Sequence, residues 1–142
     1  MTVFNNFVKD MAEEKHNLAD SGGDTLEVVL TNTAPDVTQT VLDTGTNHPP
    51  PAAANGYSAQ NAVISGSSQT SGTYKLTLAD VTFTASGGQI GPFRYAILYN
   101  QSAPSDELIG YIDRGSSITL EDGQTYTVDF NASNGVFQGS FA

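Results

Sequence analysis

Few residues in this sequence are of a type that could catalyse a reaction. It has two histidines and no cysteine, which excludes a cysteine nucleophile, a thiolate zinc site and a disulfide framework. His16 and His48 do not have the spacing of metal ligands, and no Gly-x-Ser-x-Gly segment presents a serine nucleophile. We expect His16 at a helix end and His48 in a mobile loop. The protein is therefore predicted not to be an enzyme and to bind no metal or cofactor.

Neighbouring carboxylates are a second possible source of chemistry. They occur as Glu13-Glu14, Asp106-Glu107 and Glu121-Asp122. A glycosidase needs two carboxyl groups about 5–10 Å apart across a cleft, whereas adjacent acidic residues in turns are typical of a solvated surface. The acidic stretch 20–24 offers oxygen ligands for calcium but lacks the twelve-residue loop of the usual calcium site. Sequence spacing thus favours surface positions for these groups.

The charge balance limits the partners that the protein can have. Fifteen acidic residues against five basic ones give a formal net charge of −10. This excess of negative charge disfavours binding to nucleic acid, because such binding depends on basic side chains that neutralise phosphates. It disfavours binding to anionic membranes for the same reason. No run approaches the ~18 apolar residues needed to cross a bilayer. The N-terminal residues lack the features of a secretory signal, and the absence of cysteine fits synthesis in a reducing cytosol.

The N-terminal segment, residues 1–18, is predicted to be an amphipathic helix or arm. Its apolar residues recur at the spacing of one helical face, and Thr2 is suited to be the N-cap. This stripe either packs on its own domain or docks on a neighbouring subunit, because so short a helix is marginal alone in water. We expect it to be the main interface anchor, so that deletion of residues 1–16 would leave a folded β domain. The stripe consists of Val3, Phe4, Phe7, Val8 and Met11.

From residue 19 to residue 142 the pattern is typical of one all-β domain. Apolar residues alternate with polar ones, and turn signals recur about every 8–12 residues, which favours an antiparallel β-sandwich of immunoglobulin-like or jelly-roll-like type. Residues 93–99 are nearly continuously apolar, as in a strand covered on both faces. A parity change at Ala79-Asp80 predicts a β-bulge, and 121–124 predicts a hairpin turn. Strands are expected at residues 25–31, 37–42, 62–64, 74–78, 81–85, 93–99, 108–112, 117–120, 125–130 and near 136–141.

Two features interrupt this pattern. Residues 44–56 contain Pro49, Pro50 and Pro51, which form a stiff polyproline-like segment without donors for a sheet. We predict an exposed loop or arm there and a flexible turn at 65–72. The only arginines are Arg94 and Arg114. Each either pairs with a carboxylate such as Asp113 or contacts a partner protein, since arginine is enriched at interfaces.

Long pieces of the chain are similar to a known group of proteins. They are KHNLADSGGDTLEVVLTN at residues 15–32, GTYKLTLADVTFTASGGQIGPFRYAILYN at 72–100, LIGYIDRGSSITLEDGQTYTVDF at 108–130 and NASNGV at 131–136. These pieces resemble a family of small structural proteins of tailed bacteriophages. The family carries no catalytic motif to transfer. The resemblance implies a virion component, bound outside the capsid as a decoration or cement protein.

The resemblance also implies partners: the major capsid protein and further copies of the chain itself, on the capsid surface of the virion. Two alternatives stay open. The protein could be a neck, tail or fibre component. Its copy number relative to the major capsid protein would distinguish this alternative from a decoration protein. It could also be a carbohydrate-binding module, with tyrosines as stacking platforms, although most tyrosines alternate with the apolar face and are predicted to be core. The candidates are Tyr57, Tyr74, Tyr95, Tyr99, Tyr111 and Tyr126.

Overall fold

A computed structural model describes residues 1–140, and Phe141, assigned above to the last strand, lies outside the described residues. Within these residues, one short helix, α1 (Phe7–Ala12), accompanies ten strands. In the described range no helix is long and apolar enough to cross a membrane. The strands are β1 (Thr2–Val3), β2 (Leu26–Thr31), β3 (Gln60–Asn61), β4 (Ile64–Thr70), β5 (Thr73–Leu78), β6 (Val81–Thr84), β7 (Ile90–Asn100), β8 (Glu107–Leu120), β9 (Thr125–Val128) and β10 (Phe137–Ser140).

The strands form three antiparallel sheets. A central sheet has the order β1-β8-β7-β2-β3, a second has the order β10-β5-β4, and the third consists of β6 and β9. The main core lies between the central sheet and the two smaller sheets, with Leu98 and Ile109 on one side and Leu76 and Phe83 on the other. The predicted fold class, an all-β antiparallel sandwich with a short N-terminal helix, is confirmed.

The central sheet is buried on both of its faces. Its inner face contributes to the main core, and its outer face carries a second apolar cluster that includes Val29, Ile97 and Tyr99. Strand β7 is therefore covered on both sides, as its continuous apolar run predicts. Strand β2 is also buried on both sides, whereas its alternating pattern predicted one solvated face. The difference arises because the segments before β2 and after it fold back over the outer face.

The N-terminal helix is shorter than predicted and begins later. Thr2 and Val3 pair with Tyr111 and Gly110 of β8, and the Phe4 N–H donates to the Ile109 carbonyl at 3.1 Å. The helix begins only at Phe7 and has no side-chain hydrogen bond at its N-cap. The free edge of β8 offers these first residues hydrogen bonds that an isolated helical turn cannot match, because helix nucleation is costly.

Two predictions for the middle of the chain are wrong. Residues 37–42 form a loop with one isolated bridge, Val41 to Glu107, and residues 65–72, predicted to be a flexible turn, belong largely to strand β4 and the hairpin that follows it. Strand β4 is rich in Ser and Gly and exposed along most of its length. Because neither of its faces is apolar, the sequence gives no alternation from which a strand could be inferred.

The parity change at Ala79-Asp80 marks a change of sheet, so the predicted bulge there is wrong. Strand β5 pairs with β4 and β10, while β6 pairs with β9. The turn at residues 121–124 does form, with the Gln124 N–H donating to the Glu121 carbonyl at 2.9 Å, but it leads from the central sheet to the two-stranded sheet. Residues 108–112 and 117–120, predicted as separate strands, are parts of β8.

Candidate binding surface on the outer face of the central sheet

The predicted N-terminal anchor is built into the domain. Phe4 is 1 % exposed and packs on Tyr111 with ring centroids 5.5 Å apart, while Phe7 is fully buried in the main core. Val3 and Met11 are half-buried against the same core, and only Val8 is largely exposed. The expectation that these residues form one free apolar face is therefore corrected. They surround the edge of the central sheet, because β1 pairs with β8 and places Phe4 and Phe7 in different clusters.

A buried polar cluster holds this segment in place. Asp10 has no exposed surface, and the Lys15 ammonium lies 2.9 Å from its Oδ1 and 3.7 Å from Oε1 of Glu107. The hydrogen bond to Asp10 raises the pKa of Lys15. Glu107 belongs to β8, so this ion pair links the N-terminal segment to the central sheet. Losing one partner of such a pair is costly because the other charge would remain buried.

His16 completes the polar cluster. Its Nδ1 accepts a hydrogen bond from the Asn100 side-chain amide at 3.0 Å. The orientation of this amide is fixed, because its oxygen accepts from the Ser102 and Ala103 N–H groups. His16 Nε2 therefore carries the proton, is buried, and has no hydrogen-bond partner among the described residues. Burial lowers the pKa of His16. The residue lies beyond helix α1 and does not cap its end, which corrects the prediction.

His48 has the corresponding role in the proline-containing segment. It is fully buried, its Nδ1 accepts from the Asp43 N–H at 3.1 Å, and its Nε2 lies 2.9 Å from the Gln39 side-chain oxygen, to which it donates. Burial lowers the pKa of His48. The prediction of a mobile loop around His48 is wrong. The imidazole serves as an internal support, around which residues 39–48 are hydrogen-bonded.

Residues 44–56 form a largely exposed loop, as predicted, but this loop is attached to the sheet and does not extend away as an arm. The Thr31 hydroxyl of β2 donates to the Pro49 carbonyl at 2.9 Å, and Pro51 is buried while Pro49 and Pro50 are exposed. The segment is therefore a fixed cover over the outer face of the central sheet. Its stiffness was predicted, but its direction was not, because the hydrogen bond to Thr31 joins residues that are distant in sequence.

An apolar cleft opens between this cover and the sheet. Its volume is about 370 Å³. Its floor belongs to β2 and β7, its walls belong to the proline-containing segment, and no lining residue carries a charge. Prolines and sheet residues are both rigid, so the cleft is formed before any partner arrives. The lining residues are Val29, Leu42, Thr44, Pro50, Pro51, Ala53, Tyr57, Ser58, Ala59 and Tyr99.

Tyr57 fixes one wall of the cleft to the edge of β2. Its hydroxyl accepts from the Leu30 N–H at 3.0 Å and lies 3.4 Å from the Leu30 carbonyl, and burial raises its pKa to about 12. Replacing the residue (Tyr57→Phe) leaves a buried N–H without a partner. We expect the free energy of unfolding to fall by about 1–3 kcal/mol, measured by urea unfolding. An unchanged midpoint would show that water replaces the hydroxyl.

The two arginines flank a wide bulge between β7 and β8. Phe93 pairs with Ile118 and Tyr95 with Asp113, so the single residue Arg94 faces residues 114–117. The Arg94 guanidinium binds both oxygens of Asp113, at 2.7 and 2.8 Å, and holds the pKa of that carboxyl down at about 2. The predicted pairing with a carboxylate is confirmed for Arg94. Arg114 instead donates to the carbonyl and hydroxyl of Ser116.

The tyrosines are largely committed to packing within the domain. Tyr57, Tyr95 and Tyr99 are buried, and the other three are half-buried. Tyr95 packs edge-on to Tyr111, with centroids 6.3 Å apart, and the Tyr99 hydroxyl donates to Glu27. Burial is the main cause that raises the pKa of Tyr99. Tyr95, Tyr99 and Tyr111 thus lie along the outer face, whereas the other three rings pack in or against the main core. The six rings are not arranged as an open stacking platform.

In the acidic stretch at residues 20–24, the Asp24 carboxylate is engaged in hydrogen bonds. Oδ2 of Asp24 accepts hydrogen bonds from the Asn17 N–H at 2.8 Å and the Asn100 amide at 2.6 Å. Over residues 1–140 no group of three or more His, Asp or Glu side chains is placed to hold a metal ion. Asp24 is a structural acceptor that helps to fix Asn100, and through it His16.

The outer face brings together members of three predicted sets of interface residues, namely Phe4 of the N-terminal stripe, Arg94 and the prolines. Phe4, Tyr111, Tyr95 and Arg94 form one continuous row of contacts, and the prolines lie at the cleft beside it. Sequence reasoning missed Leu42, and it considered Tyr57 and Tyr99 only as stacking platforms for sugar. The three residues are far apart in the chain and share no period, so nothing in the sequence places them in one cleft. No family model, no curated protein and no solved structure matches this chain.

Proposed function

We propose that the chain is a non-enzymatic structural protein of a bacteriophage particle, which binds the outside of the capsid and stabilises the head as a decoration or cement protein. Its partners would be the major capsid protein and further copies of itself. The resemblance of residues 15–32 and 72–136 to bacteriophage structural proteins motivates the proposal. The observation that carries it is the preformed, uncharged apolar cleft of about 370 Å³ on the outer face.

The cleft suits an apolar side chain presented by a rigid protein surface. Binding to a preformed site avoids the cost of ordering a loop, which otherwise reduces affinity. Here the cover is already held by the Thr31–Pro49 hydrogen bond and by His48. The chain has a net charge of −10, but no residue that lines the cleft is charged. An apolar side chain of a partner can therefore enter the cleft without electrostatic repulsion. We therefore assign the cleft to an aliphatic or proline side chain of the shell subunit.

A capsid presents many identical sites, so a modest contact per copy is sufficient. Contacts that are weak singly become strong when several linked copies bind together. The net negative charge also acts in favour of this role, because it keeps the protein soluble at high copy number and away from the packaged genome. Neither property requires a reacting group in the protein.

The first test is the composition of purified particles. Virions produced from the genome that encodes this chain are purified, and each protein is quantified by mass spectrometry. We expect this chain in an amount similar to that of the major capsid protein. A few copies per particle would instead support the neck, tail or fibre alternative, and complete absence from the particles would reject a structural role.

The second test examines the cleft itself. Ala53 lines the cleft, so Ala53→Trp fills it with an indole ring, and we expect at least a ten-fold loss of affinity for undecorated shells in a co-sedimentation assay. Ala79→Trp is the matched control, because Ala79 is also exposed and lies on the opposite side of the sandwich. Full binding by Ala53→Trp would show that the cleft does not contact the shell.

A further inference from the structure

Strand β4 is the longest strand among the described residues that forms the edge of its sheet. It pairs with β5 on one side only, and it runs for seven residues, Ile64–Thr70. The other edge strands are two or four residues long: β1, β3, β6, β9 and β10. A free edge presents unpaired N–H and C=O groups and is therefore a template for another strand.

The geometry of the hairpin shows which backbone groups are free. Ser71 and Gly72 connect β4 to β5, and both have positive φ, 50° and 82°, as in a two-residue turn of type I′. Thr70 pairs with Thr73 directly beside this turn. The pair that flanks such a turn exchanges two backbone hydrogen bonds. Further along the two strands, pairs without hydrogen bonds alternate with hydrogen-bonded pairs. Ser67 and Gln69 therefore direct their N–H and C=O groups away from β5.

This edge lacks the features that protect most free edges. Natural edge strands are shielded by Lys, Pro, inward charges or a covering segment. Residues 64–70 contain no charged residue and no proline, and the only bulge in β4, between Ile64 and Gly66, lies at its first end. The four residues after this bulge are exposed or half-buried. The strand is thus accessible along the part that would pair.

Charge identifies the partner as a second copy of the chain. Two molecules of net charge −10 repel each other in most orientations. Residues 64–74 carry no charge at all, so approach through β4 brings together the least repulsive parts of the two surfaces. An antiparallel pair of identical strands is also self-complementary about a two-fold axis, which is the commonest symmetry of homodimers.

We propose that β4 pairs with β4 of a second copy, antiparallel about a two-fold axis, so that two three-stranded sheets become one sheet of six strands. Centring the axis on Ser68 places Ser67 opposite the partner's Gln69 and Gln69 opposite the partner's Ser67. Each of these two pairs exchanges two backbone hydrogen bonds. The interface is small, which predicts weak, concentration-dependent association. This inference goes beyond the particle role proposed above and does not depend on it.

Sedimentation velocity over a range of concentrations tests the dimer. Ser68 is exposed, and Ser68→Lys places two ammonium groups opposite each other across the axis, where like charges destabilise pairing. We expect at least ten-fold weaker dimerisation than in the wild type. Thr84→Lys is the matched control, because it adds the same charge to an exposed strand position elsewhere and should dimerise as the wild type does.

A second variant and a second measurement separate pairing from folding. Ser67→Pro removes an outward N–H and no backbone hydrogen bond to β5, although it also loses the contact of the Ser67 hydroxyl with the Tyr74 hydroxyl at 3.0 Å. It should retain the wild-type circular dichroism spectrum and stay monomeric. Hydrogen exchange should show that the amides of Ser67 and Gln69 become protected as protein concentration rises. A wild type that is monomeric at about 1 mM, or Ser68→Lys dimerising as well as the wild type, would overturn the proposal.

Discussion

A chain that lacks residues 1–16 is expected to be unfolded in dilute buffer. The deletion removes Phe4 and Phe7, which are 1 % and 0 % exposed, together with β1 and the buried Asp10. Losing one buried phenylalanine side chain typically costs about 3–5 kcal/mol, and whole domains are stable by only about 5–15 kcal/mol. The far-ultraviolet circular dichroism spectrum of the truncated chain should therefore lack the strand signal of the intact protein.

Single substitutions give the same test in a graded form. We expect Phe7→Ala to lower the free energy of unfolding by about 3–5 kcal/mol, because the Phe7 ring packs on Phe137 at 5.1 Å within the main core. Val8→Ala is the control one position along, where the side chain is 57 % exposed and the loss should stay within about 0.5 kcal/mol. Equal unfolding midpoints for the two variants would show that the N-terminal segment is not part of the core.

Acidification below pH 6.5 is expected to destabilise the protein through its two histidines. Each Nδ1 accepts a hydrogen bond from a fixed donor, the Asn100 amide for His16 and the Asp43 N–H for His48. A second proton on either ring would point at that donor, so protonation breaks the bond. Burial adds to this effect and lowers the pKa of both groups below the ordinary value of 6.5.

The direction of the pH dependence follows from these lowered pKa values. Between the folded and unfolded pKa values the unfolded chain binds protons that the folded chain does not, so stability is present above pH 6.5 and is lost as the pH falls. The slope approaches 1.4 kcal/mol per pH unit for each histidine, about 2.7 for both. His16 faces Asp10, Asp24, Glu107 and Lys15, and the three carboxylates offset part of its shift. For His48 the corresponding offset comes from Asp43.

Urea unfolding at a series of pH values from 7.5 to 5 measures this slope. An asparagine side chain can place an acceptor near the position of Nδ1 and does not titrate. His48→Asn should therefore halve the slope. The double variant that also carries His16→Asn should abolish it, since the sequence has no other histidine. The slope is the readout, because either variant also loses packing. The raised pKa of Asp106 contributes to the pH dependence of stability with the opposite sign, and this contribution is the same in all variants. An unchanged slope in the double variant would contradict the prediction.

The fold class was predictable because it depends on local periodicity. Strand β9 alternates apolar and polar residues, and β7 carries a nearly continuous apolar run. Both patterns are local, so both strands were found close to their observed positions. Strand β4 was missed because its serines and glycine are solvated on both faces. The start of helix α1 was misplaced because Thr2 and Val3 find a partner in β8, and no local pattern reports that partner.

The candidate binding surface was much less predictable than the fold. The prolines predicted a stiff segment at residues 49–51, and the scarcity of basic residues predicted that Arg94 pairs with a carboxylate. That this carboxylate is Asp113 was not predictable, because Asp113 is adjacent in sequence to Arg114. The cleft depends instead on how far the segment folds back, and this is decided by Thr31 and by the buried His48. Both contacts are single hydrogen bonds between groups distant in sequence or hidden in an irregular loop, where neither composition nor spacing carries a signal.

The position of β1 at the edge of the central sheet affects how the protein is made. Its partners, Gly110 and Tyr111, are synthesised long after β1 itself, and the Phe137 ring that covers Phe7 comes later still. At ~5–20 residues per second, the N-terminus waits on the ribosome for on the order of ten seconds before its sheet exists. During that interval its phenylalanines are exposed on the nascent chain, so rapid overexpression should favour inclusion bodies, and slower synthesis at low temperature should favour soluble protein.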